Sequence, residues 1–538
     1  MLPAAVTYPD LCTRFRWHIP ARYNMGRDSC DKWAEREPER VAIIDLTGSE
    51  RRNVTFAELR KKADALARHL IALGTPPGAR VGVLRTQSVW TAAAHIAVWK
   101  IGAISMPLFK LFGEQALLSR LSDSGAMAVI TDPAGAQTLA ALKPRLPELT
   151  HVIVPEEAAL PDDAPFTAAD TAADDPALLI YTSGTTGAPK GALHAHRVLL
   201  GHLPGVEMSH DLLPQTGDVL WTPADWAWIG GLLDVLMPGL HHGVPVVAAR
   251  MDKFTPEGCA EIIDRGGVKN VFFPPTALKL LKASGTKLGH LRTVASGGEP
   301  LGSEMLSWGK EALHVTINEF YGQTECNMVV SSCACLFGPK PGATGRPVPG
   351  HDVSVIDPQG NPTTGEGDIA IRQGTPVMML EYWNNPTATA AKFRTAPDGS
   401  RWLLTGDRGV FEDGFIRFVG RDDDVITSAG YRIGPAEIED CLLTHPAVAQ
   451  VGVVGKPDRE RTEIVKAYIV PRPGFEPSPE LAAALQSHVR TRLAAYEYPR
   501  EIAFLGALPM TVTGKIVRKE LRARAEAELT VEKQSESV

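Results

Sequence analysis

The stretch Tyr181-Thr-Ser-Gly-Thr-Thr-Gly-Ala-Pro-Lys190-Gly191 carries the most information about the fold. It follows an apolar run at residues 177–181, which predicts a strand. Glycine lets the backbone approach a ligand closely, free N–H groups and hydroxyls can surround a polyphosphate, and lysine adds a positive charge. The stretch therefore indicates a phosphate-binding loop. It is not the common GxxxxGK[ST] form, because Gly191 follows Lys190 where Ser or Thr would bind magnesium; a surface loop without a ligand is the alternative.

Strand and helix patterns alternate on the N-terminal side of this loop. Helical spacing of apolar residues predicts helices at 56–73, with Thr55 as a cap, and at 89–100. Apolar runs predict strands at 41–45, 80–84, 104–108, 128–131 and 151–154. This alternation is typical of parallel βαβ units.

The pattern changes after residues 342–350, a Gly- and Pro-rich segment that predicts a loop. The strand and turn signals that follow indicate antiparallel pairing. Beyond the acidic run at residues 420–424, a compact βαβ-like stretch has helices near 435–443 and 480–493 and strands near 448–454 and 464–470. We therefore predict an α/β fold. Residues 1–422 form a large N-terminal domain of layered βαβ sheets with a small antiparallel β subdomain, and residues 423–538 form a small, mobile α+β C-terminal domain.

Length and composition exclude several protein classes. The chain has 538 residues, of which 44% are hydrophobic, enough for a large core. A net charge of −7 argues against a general nucleic-acid binder. Seven cysteines, an odd and sparse set, argue against a disulfide framework. Without a signal peptide or a membrane-length apolar run, we expect a cytoplasmic protein; a homo-oligomer stays open.

Six further motifs follow the loop along the chain. They are Ser296-Gly-Gly-Glu-Pro300, Glu319-Phe-Tyr-Gly-Gln-Thr-Glu325, Thr405-Gly-Asp407, Gly420-Arg-Asp-Asp-Asp-Val, Gly430-Tyr-Arg-Ile-Gly-Pro-Ala-Glu-Ile-Glu439 and Pro509-Met-Thr-Val-Thr-Gly-Lys515. With the loop, they resemble the adenylate-forming (AMP-binding) superfamily, which includes acyl-CoA synthetases, luciferases and the adenylation domains of peptide synthetases. Within it, the stretch from Tyr498-Pro-Arg500 to Lys515 and the segment beginning at Ala429 are most similar to medium-chain acyl-CoA synthetases.

This resemblance implies a two-step reaction. A carboxylic acid and ATP give acyl-AMP and pyrophosphate, and acyl-AMP and coenzyme A then give acyl-CoA and AMP. Because the attacking carboxylate and the ATP phosphates are both anions, catalysis requires positioning and charge neutralisation. Magnesium supports the leaving pyrophosphate.

The resemblance also assigns ATP-site residues. Glu325 holds Mg²⁺, Thr324 contacts phosphate, and Asp407 offers two oxygens to the ribose hydroxyls, with Arg421 as a second ribose contact. The loop contributes Thr182, Ser183, Gly184, Thr185, Thr186, Gly187 and Lys190, and the nucleotide is lined by Gly298, Glu299, Glu319, Phe320, Tyr321, Gly322, Gln323 and Arg432. Tyr321 is expected to stack on adenine.

Lys515 is the expected catalytic lysine. Its charged ammonium would lie between the substrate carboxylate and the α-phosphate. Taken alone, Thr-Gly-Lys near a chain end would more often be a surface lysine, but the surrounding motif favours the catalytic role. The resemblance implies a hinge between the domains at Asp423, and a short polar residue in a linker suits such backbone rotation.

Two further sets complete the expected site. For CoA, the resemblance indicates Ala429, Gly430, Tyr431, Arg461, Tyr498, Pro499 and Arg500. For the acyl group, it indicates Trp228, Ile229, Gly230, Gly297 and Gly322, with Trp226 as a second candidate wall. Short-chain members carry a bulky Trp at the position of Gly322. Because these glycines lack side chains, we expect space for a medium-chain, branched or aryl acid rather than acetate.

Other functions remain open at this stage. Within the fold, a stand-alone enzyme could load a carrier protein rather than free CoA, and a luciferase-like oxygenase has no supporting feature. A non-catalytic acyl or nucleotide sensor is a different class, but the retained loop, Glu325, Asp407 and Lys515 argue against it.

Overall fold

The computed structural model describes residues 1–4, 6–161, 164–182, 189–249, 251, 253–422, 424–428, 431–458, 461–493, 497–511 and 515–535, and gives only the backbone for Thr427, Tyr431, Arg432 and residues 529–535. None of the helices in these ranges combines the length and hydrophobicity needed to cross a bilayer. All seven cysteines are free thiols.

The helices are α1 Tyr8–Arg14, α2 Lys32–Arg36, α3 Phe56–Ala72, α4 Val89–Lys100, α5 Glu114–Ser124, α6 Pro133–Leu142, α7 Val198–Ser209, α8 Ile229–Gly231, α9 Met237–His242, α10 Pro256–Gly266, α11 Pro275–Ser284, α12 Ser303–Trp308, α13 Pro386–Ala391, α14 Pro435–Leu443, α15 Pro479–Arg490 and α16 Arg518–Ser535. Short π-helical segments cover Arg27–Asp31, Leu232–Leu236 and Gly309–Leu313, and a 3₁₀ turn covers Lys143–Arg145.

The strands are β1 Val41–Asp45, β2 Arg52–Thr55, β3 Arg80–Leu84, β4 Ile104–Pro107, β5 Ala128–Thr131, β6 His151–Ile153, β7 Pro176–Thr182, β8 Lys190–Ala195, β9 Leu220–Trp221, β10 Val246–Ala248, β11 Asn270–Phe272, β12 Thr293–Gly297, β13 Ile317–Gln323, β14 Cys326–Ser331, β15 Arg346–Pro347, β16 Val353–Ile356, β17 Gly367–Arg372, β18 Glu381–Tyr382, β19 Phe393–Thr395, β20 Arg401–Glu412, β21 Phe415–Arg421, β22 Ile426–Ser428, β23 Tyr431–Ile433, β24 Val448–Asp458, β25 Thr462–Pro471 and β26 Glu501–Phe504.

Two large sheets form the N-terminal part. One has the order β15-β14-β13-β12-β11-β9-β10-β1-β2, and its strands from β13 to β1 are parallel. The other has the order β18-β8-β7-β4-β3-β5-β6, parallel from β7 to β6 and antiparallel at β8 and β18. The predicted parallel βαβ units are confirmed.

Helix α4 shows how the layers pack. All its side chains except that of Trp90 are buried. Its last residue, Lys100, is fully buried and forms ion pairs with Asp31, at 2.8 Å, and with Asp64. A buried ammonium needs such compensation, because desolvation of an unpaired charge is costly. At the preceding helix α3, the predicted cap is also present, since Thr55 forms a capping box with Glu58.

Two smaller sheets follow. The sheet β16-β17-β20-β19, with β21 beside β20, is antiparallel throughout, as predicted. The last sheet has the order β23-β22-β25-β24 with β26 beside β25, and together with α14–α16 we call it the C-terminal module. In it, β25, α15 and β26 form a parallel βαβ unit, whereas β24 and β25 form an antiparallel hairpin. The predicted fold class is therefore confirmed.

Candidate active site

The carboxyl ends of two parallel strands organise the site. Strands β12 and β13 are neighbours, and their register places Gly297 opposite Phe320. The motifs at residues 296–300 and 319–325 therefore lie side by side, although 18 residues of sequence separate them. Ligands of open parallel sheets bind at this edge.

The phosphate loop joins the antiparallel strands β7 and β8. Thr182 at the end of β7 is paired with Lys190 at the start of β8. The expected loop contacts Ser183, Gly184, Thr185, Thr186 and Gly187 lie outside the described residues. The structure thus fixes both ends of the loop, one at the end of β7 and the other at the start of β8, in the second large sheet.

Glu325 is held by aromatic and cationic neighbours. It is buried, the Tyr382 hydroxyl donates to its Oε1, and Lys392 Nζ lies 4.0 Å from the same oxygen. Lys190 Nζ lies 5.4 Å from the centroid of the Tyr382 ring. Within the described residues, Oε2 accepts no hydrogen bond. A carboxylate oxygen of this kind suits a hard cation, so Glu325 fits the expected Mg²⁺.

Asp407 lies at the centre of the expected ribose site. The Tyr321 hydroxyl donates to its Oδ2 at 2.6 Å, and Arg421 is its register partner across β20 and β21. Burial raises the pKa of Asp407, and Tyr321, Arg421, Lys392 and Lys515 act against this rise. Tyr321 was expected only to stack on adenine, and in the structure it also orients Asp407.

Lys392 connects three parts of the site and was not predicted. Its Nζ donates to Gln323 Oε1 at 3.0 Å and to the carbonyl oxygens of Leu404 and Thr405 at 3.2 and 3.3 Å. Gln323 in turn donates to the Thr405 carbonyl at 2.9 Å. The ammonium therefore ties the end of β13 to β20. An isolated lysine outside any motif gave no sequence signal for this role.

Side chains alternate along the end of β13. Glu319 is buried near Asp440 of α14, and the pKa of its carboxyl is raised to about 8 by burial and by Asp440. Phe320, on the opposite face of the strand, packs against Phe272 with ring centroids 5.1 Å apart. Phe320 thus belongs to the aromatic wall beside Gly297. Thr324 lies against His194, whose pKa burial lowers to about 3.

Lys515 reaches this site from the C-terminal module. Its Cε lies 4.0 Å from the position that a Cβ on Gly298 would take, and Trp228 lies 3.5 Å from the same position. Desolvation by the surrounding protein lowers the pKa of Lys515, whereas the charges of Glu299 and Asp407 raise it. The structure therefore brings together Lys515, the nucleotide strip and Trp228, as the motifs indicated.

The expected acyl-pocket glycines do not leave open space. A Cβ on Gly297 would lie 2.5 Å from Phe320 Cε2, and one on Gly230 would lie 2.9 Å from Phe272 Cε1. At Gly322, the nearest atom is Asn327 Oδ1, with Asn327 Cγ at 2.8 Å. Contrary to expectation, the missing side chains at these three glycines do not add pocket volume, because neighbouring side chains fill the positions.

The tryptophans and Ile229 differ in burial. Trp228 is half-buried, packs beside Gly298 and stacks obliquely on Phe272 with ring centroids 5.9 Å apart. Trp226 is fully buried and Ile229 nearly so, and both belong to the main hydrophobic core, as Phe272 and Phe320 also do. The roles of Trp226 and Ile229 as pocket walls therefore stay predictions.

The expected CoA residues that the structure describes with their side chains, Arg461, Tyr498, Pro499 and Arg500, lie in the C-terminal module. Thr462, next to Arg461, is opposite Ser428, which precedes Ala429 and Gly430. Tyr498 lies beneath the Arg500 guanidinium at 5.3 Å, Pro499 is buried, and Arg500 N–H donates to the Val465 carbonyl. Ala429, Gly430 and the side chains of Tyr431 and Arg432 lie outside the described residues, as does Asp423.

Comparison with known proteins agrees with this geometry. The family model of AMP-binding enzymes matches residues 30–383, and that of the AMP-binding enzyme C-terminal domain matches residues 437–515. Acetyl-coenzyme A synthetase of Bacillus subtilis (strain 168) is 34% identical over 93% of this chain and 90% of its own. The mitochondrial acyl-coenzyme A synthetase ACSM2 of Rattus norvegicus is 34% identical over 94% of this chain and 92% of its own.

A solved structure shares the architecture. The anthranilate CoA ligase AuaEII, in complex with anthranoyl-AMP, is 27% identical and superposes with a TM-score of 0.86 over 95% of this chain and 99% of its own. Motifs, fold and relatives thus agree, and the chain belongs to the AMP-binding enzyme family as an AMP-forming acyl-CoA synthetase.

Proposed function

We propose that this acyl-CoA synthetase activates a medium-chain, branched or aryl acid rather than acetate, and that Lys515 catalyses the adenylation step. The observation that carries the proposal is that Lys515 lies beside Gly298 and Trp228, where the charge of Asp407 also acts on its ammonium. An ammonium there can offset charge as the carboxylate attacks the α-phosphorus.

The wall of the acyl pocket supports the choice of acid. Trp228 packs on Phe272 and Phe272 on Phe320, and a site beside these aromatic rings suits apolar or planar acyl groups. Gly322 takes the place of the bulky Trp of short-chain enzymes, although Asn327 fills part of that space. An acetyl-CoA synthetase and ACSM2 share the same 34% identity with this chain, so overall identity does not choose between acids.

The remaining roles follow from position. Asp407 and Arg421 bind the ribose, Lys190 and Lys392 face the phosphates beside Glu325, and Arg461 and Arg500 hold CoA phosphates as planar donors. Mg²⁺, when bound through Glu325, neutralises charge on the leaving pyrophosphate. Because no protein base is required, adenylation depends on these cations and on substrate orientation.

The variant Lys515→Ala tests the proposal. We expect acid-dependent ATP–pyrophosphate exchange to fall by about a thousandfold, the scale of losing one electrostatic catalytic group. Thioester formation from preformed acyl-AMP and CoA should be nearly unchanged, because in that step the CoA thiol attacks the acyl carbon and AMP leaves, so no carboxylate has to approach the α-phosphorus.

Lys519→Ala, an exposed lysine in the first turn of α16, is the matched control and should retain both half-reactions. Equal losses of both half-reactions in Lys515→Ala would contradict the assignment. A panel of acids of graded length and branching, assayed for CoA-dependent AMP release, tests the proposed acid class, and acetate as the best substrate would refute it.

A further inference from the structure

A buried polar network lies beside Gly322 and Gly230, two of the residues expected to line the acyl pocket. Its members are Asp234, Asn327 and His202, which are 2%, 4% and 0% exposed. The Asn327 amide nitrogen lies 2.8 and 2.9 Å from the two carboxylate oxygens of Asp234, and His202 Nδ1 lies 3.1 Å from Asp234 Oδ1. Because a carboxylate accepts hydrogen bonds, it fixes the amide with Nδ2 towards Asp234 and Oδ1 away from it.

The oxygen of this amide faces Gly322. Asn327 Oδ1 is the atom nearest to the position that a Cβ on Gly322 would take. Among the residues with described side chains, none donates a hydrogen bond to it. An acyl group that covers this oxygen without supplying a donor leaves it desolvated and unpaired, which is unfavourable, whereas an acyl group that supplies the donor avoids that cost.

A continuous ring of contacts links this oxygen to the reaction centre. From the catalytic end, the contacts run through Lys515, Gly298, Trp228, Phe272, Gly230, Asp234 and Asn327. Gly322 closes the ring, because it lies two residues after Phe320, which packs against Gly297 beside Gly298. The amide oxygen is therefore connected to the Lys515 ammonium through residues that are expected to line the acyl pocket.

We propose that Asn327 is a specificity-determining residue whose Oδ1 accepts a hydrogen bond from a hydroxyl or amino group on the acyl part of the substrate. Of the acid classes proposed above, this selects a compact branched or aryl acid that carries such a donor, and not a medium-chain acid. An acid that ends in a methyl group would bury the amide oxygen without a partner, and the filled glycine positions leave no room for a long chain at this wall. This inference rests on the proposed function, because it specifies the acid of the same reaction.

The wild-type enzyme provides the first test. CoA-dependent AMP release is measured for matched acids that differ only in a donor or a methyl group: the three aminobenzoates against the three methylbenzoates, and 3-hydroxybutyrate against 3-methylbutyrate. We expect kcat/KM to favour the donor in at least one pair by about tenfold or more, since sites built to bond a polar group discriminate against analogues that lack it. A methyl acid that is equal or better in every pair would overturn the inference.

The same assays distinguish an error in the role of Asn327 from an error in the proposed acyl-CoA synthetase function. If acids are activated without any donor preference, the role of Asn327 is wrong while the acyl-CoA synthetase function stands. If none of a broad acid panel releases AMP, the proposed function itself is wrong, and this inference falls with it.

The variant Asn327→Leu supplies the second test. Leucine keeps the size and removes the acceptor, so the donor preference should disappear or invert while the KM for ATP stays unchanged. Asn318→Leu is the matched control, because Asn318 is also a buried amide on the same β13–β14 hairpin and its partners are Ser209 and Asp211, outside the ring. That variant should keep the wild-type preference.

A double variant keeps the test valid if Asn327→Leu alone fails to fold. Removing Asn327 leaves the Asp234 carboxylate with His202 as its only described partner, so Asn327→Leu is also made together with Asp234→Asn. A folded variant of either kind that retains the wild-type donor preference would refute the role of Asn327.

Discussion

Glu319 combines deep burial with a second carboxyl group nearby. Burial and Asp440 raise its pKa to about 8, against an ordinary value of 4.5. At neutral pH the folded protein therefore holds this carboxyl protonated, whereas the unfolded chain releases the proton. Folded and unfolded states bind different numbers of protons between pH 4.5 and about 8, so this group makes stability fall as the pH rises through that window.

The variant Glu319→Gln tests this at the scale of one residue. The amide mimics the protonated acid, so its melting temperature relative to wild type should rise from pH 5 to pH 8 and stay constant above that. Thermal unfolding across the range measures the difference. Glu311→Gln, at an exposed position, should show no such trend, and parallel curves for Glu319→Gln and wild type would contradict the raised pKa.

Residue types at the site were predictable, but the partners of those residues were not. Motifs indicated Tyr321, Asp407 and Glu325, because their order along the chain is specific. The hydrogen bond from Tyr321 to Asp407 joins residues 86 positions apart, and no local pattern reports such a contact. Asn327 was missed for a related reason: its importance comes from Asp234, which lies on a distant helical segment.

At the scale of elements, the end of β13 depends on Lys392. This side chain follows α13 and bonds Gln323 of β13 and the carbonyl oxygens of Leu404 and Thr405 in β20. It holds an antiparallel strand of the small subdomain against a parallel strand of the large sheet. The strand that carries Asp407 is thereby placed beside the strand that carries Tyr321.

The variant Lys392→Met should loosen this junction. It leaves two carbonyl oxygens and the Gln323 amide oxygen without a charged donor, so we expect a loss of about 1–3 kcal/mol in the free energy of unfolding and a higher KM for ATP. Chemical denaturation and steady-state kinetics measure both. Lys340→Met, which breaks an exposed ion pair with Asp413, should cost about 0.5 kcal/mol or less; equal costs for both variants would contradict the role of Lys392.

Most elements were predictable from periodicity, whereas strand order was not. Apolar spacing predicted the bounds of α4 and α14 and the existence of β1, β3 and β5. Strands β9 and β10 are inserted between β11 and β1 in the sheet, and such long-range pairing leaves no local signal. Likewise, an apolar run does not show the direction of its neighbour, so the β24–β25 hairpin was not distinguished from a parallel pair.

At the scale of the whole molecule, one module must serve two reactions. The structure places Lys515 at the site, while the expected CoA residues lie around the start of β25 in the same module. We propose that residues 423–538, which contain the C-terminal module, rotate about Asp423 relative to residues 1–422. This rotation would bring either Lys515 or the expected CoA residues to the site. Hinge residues absorb such a change in backbone dihedral angles.

The variant Asp423→Pro tests the turn. Proline fixes φ and removes the N–H group, so we expect adenylation to persist and thioester formation to fall. Pyrophosphate exchange and CoA-dependent release of AMP separate the two steps. Asp423→Ala keeps backbone freedom and should retain both, and unchanged overall turnover in Asp423→Pro would place the hinge elsewhere.

The residue after this hinge is bound to the last helix. Asp424 accepts from Arg522 at 2.5 Å and lies 3.7 Å from Arg518, and Arg518 also donates to Glu439 at 2.6 Å. These ion pairs bind α16 to the first residues of the module. A rotation about the proposed hinge at Asp423 would therefore move the helix together with the module as one rigid body. A bulky fusion partner attached at the C-terminus would then add hydrodynamic drag to the rotating module. It would slow the change between the two half-reactions without contacting any substrate.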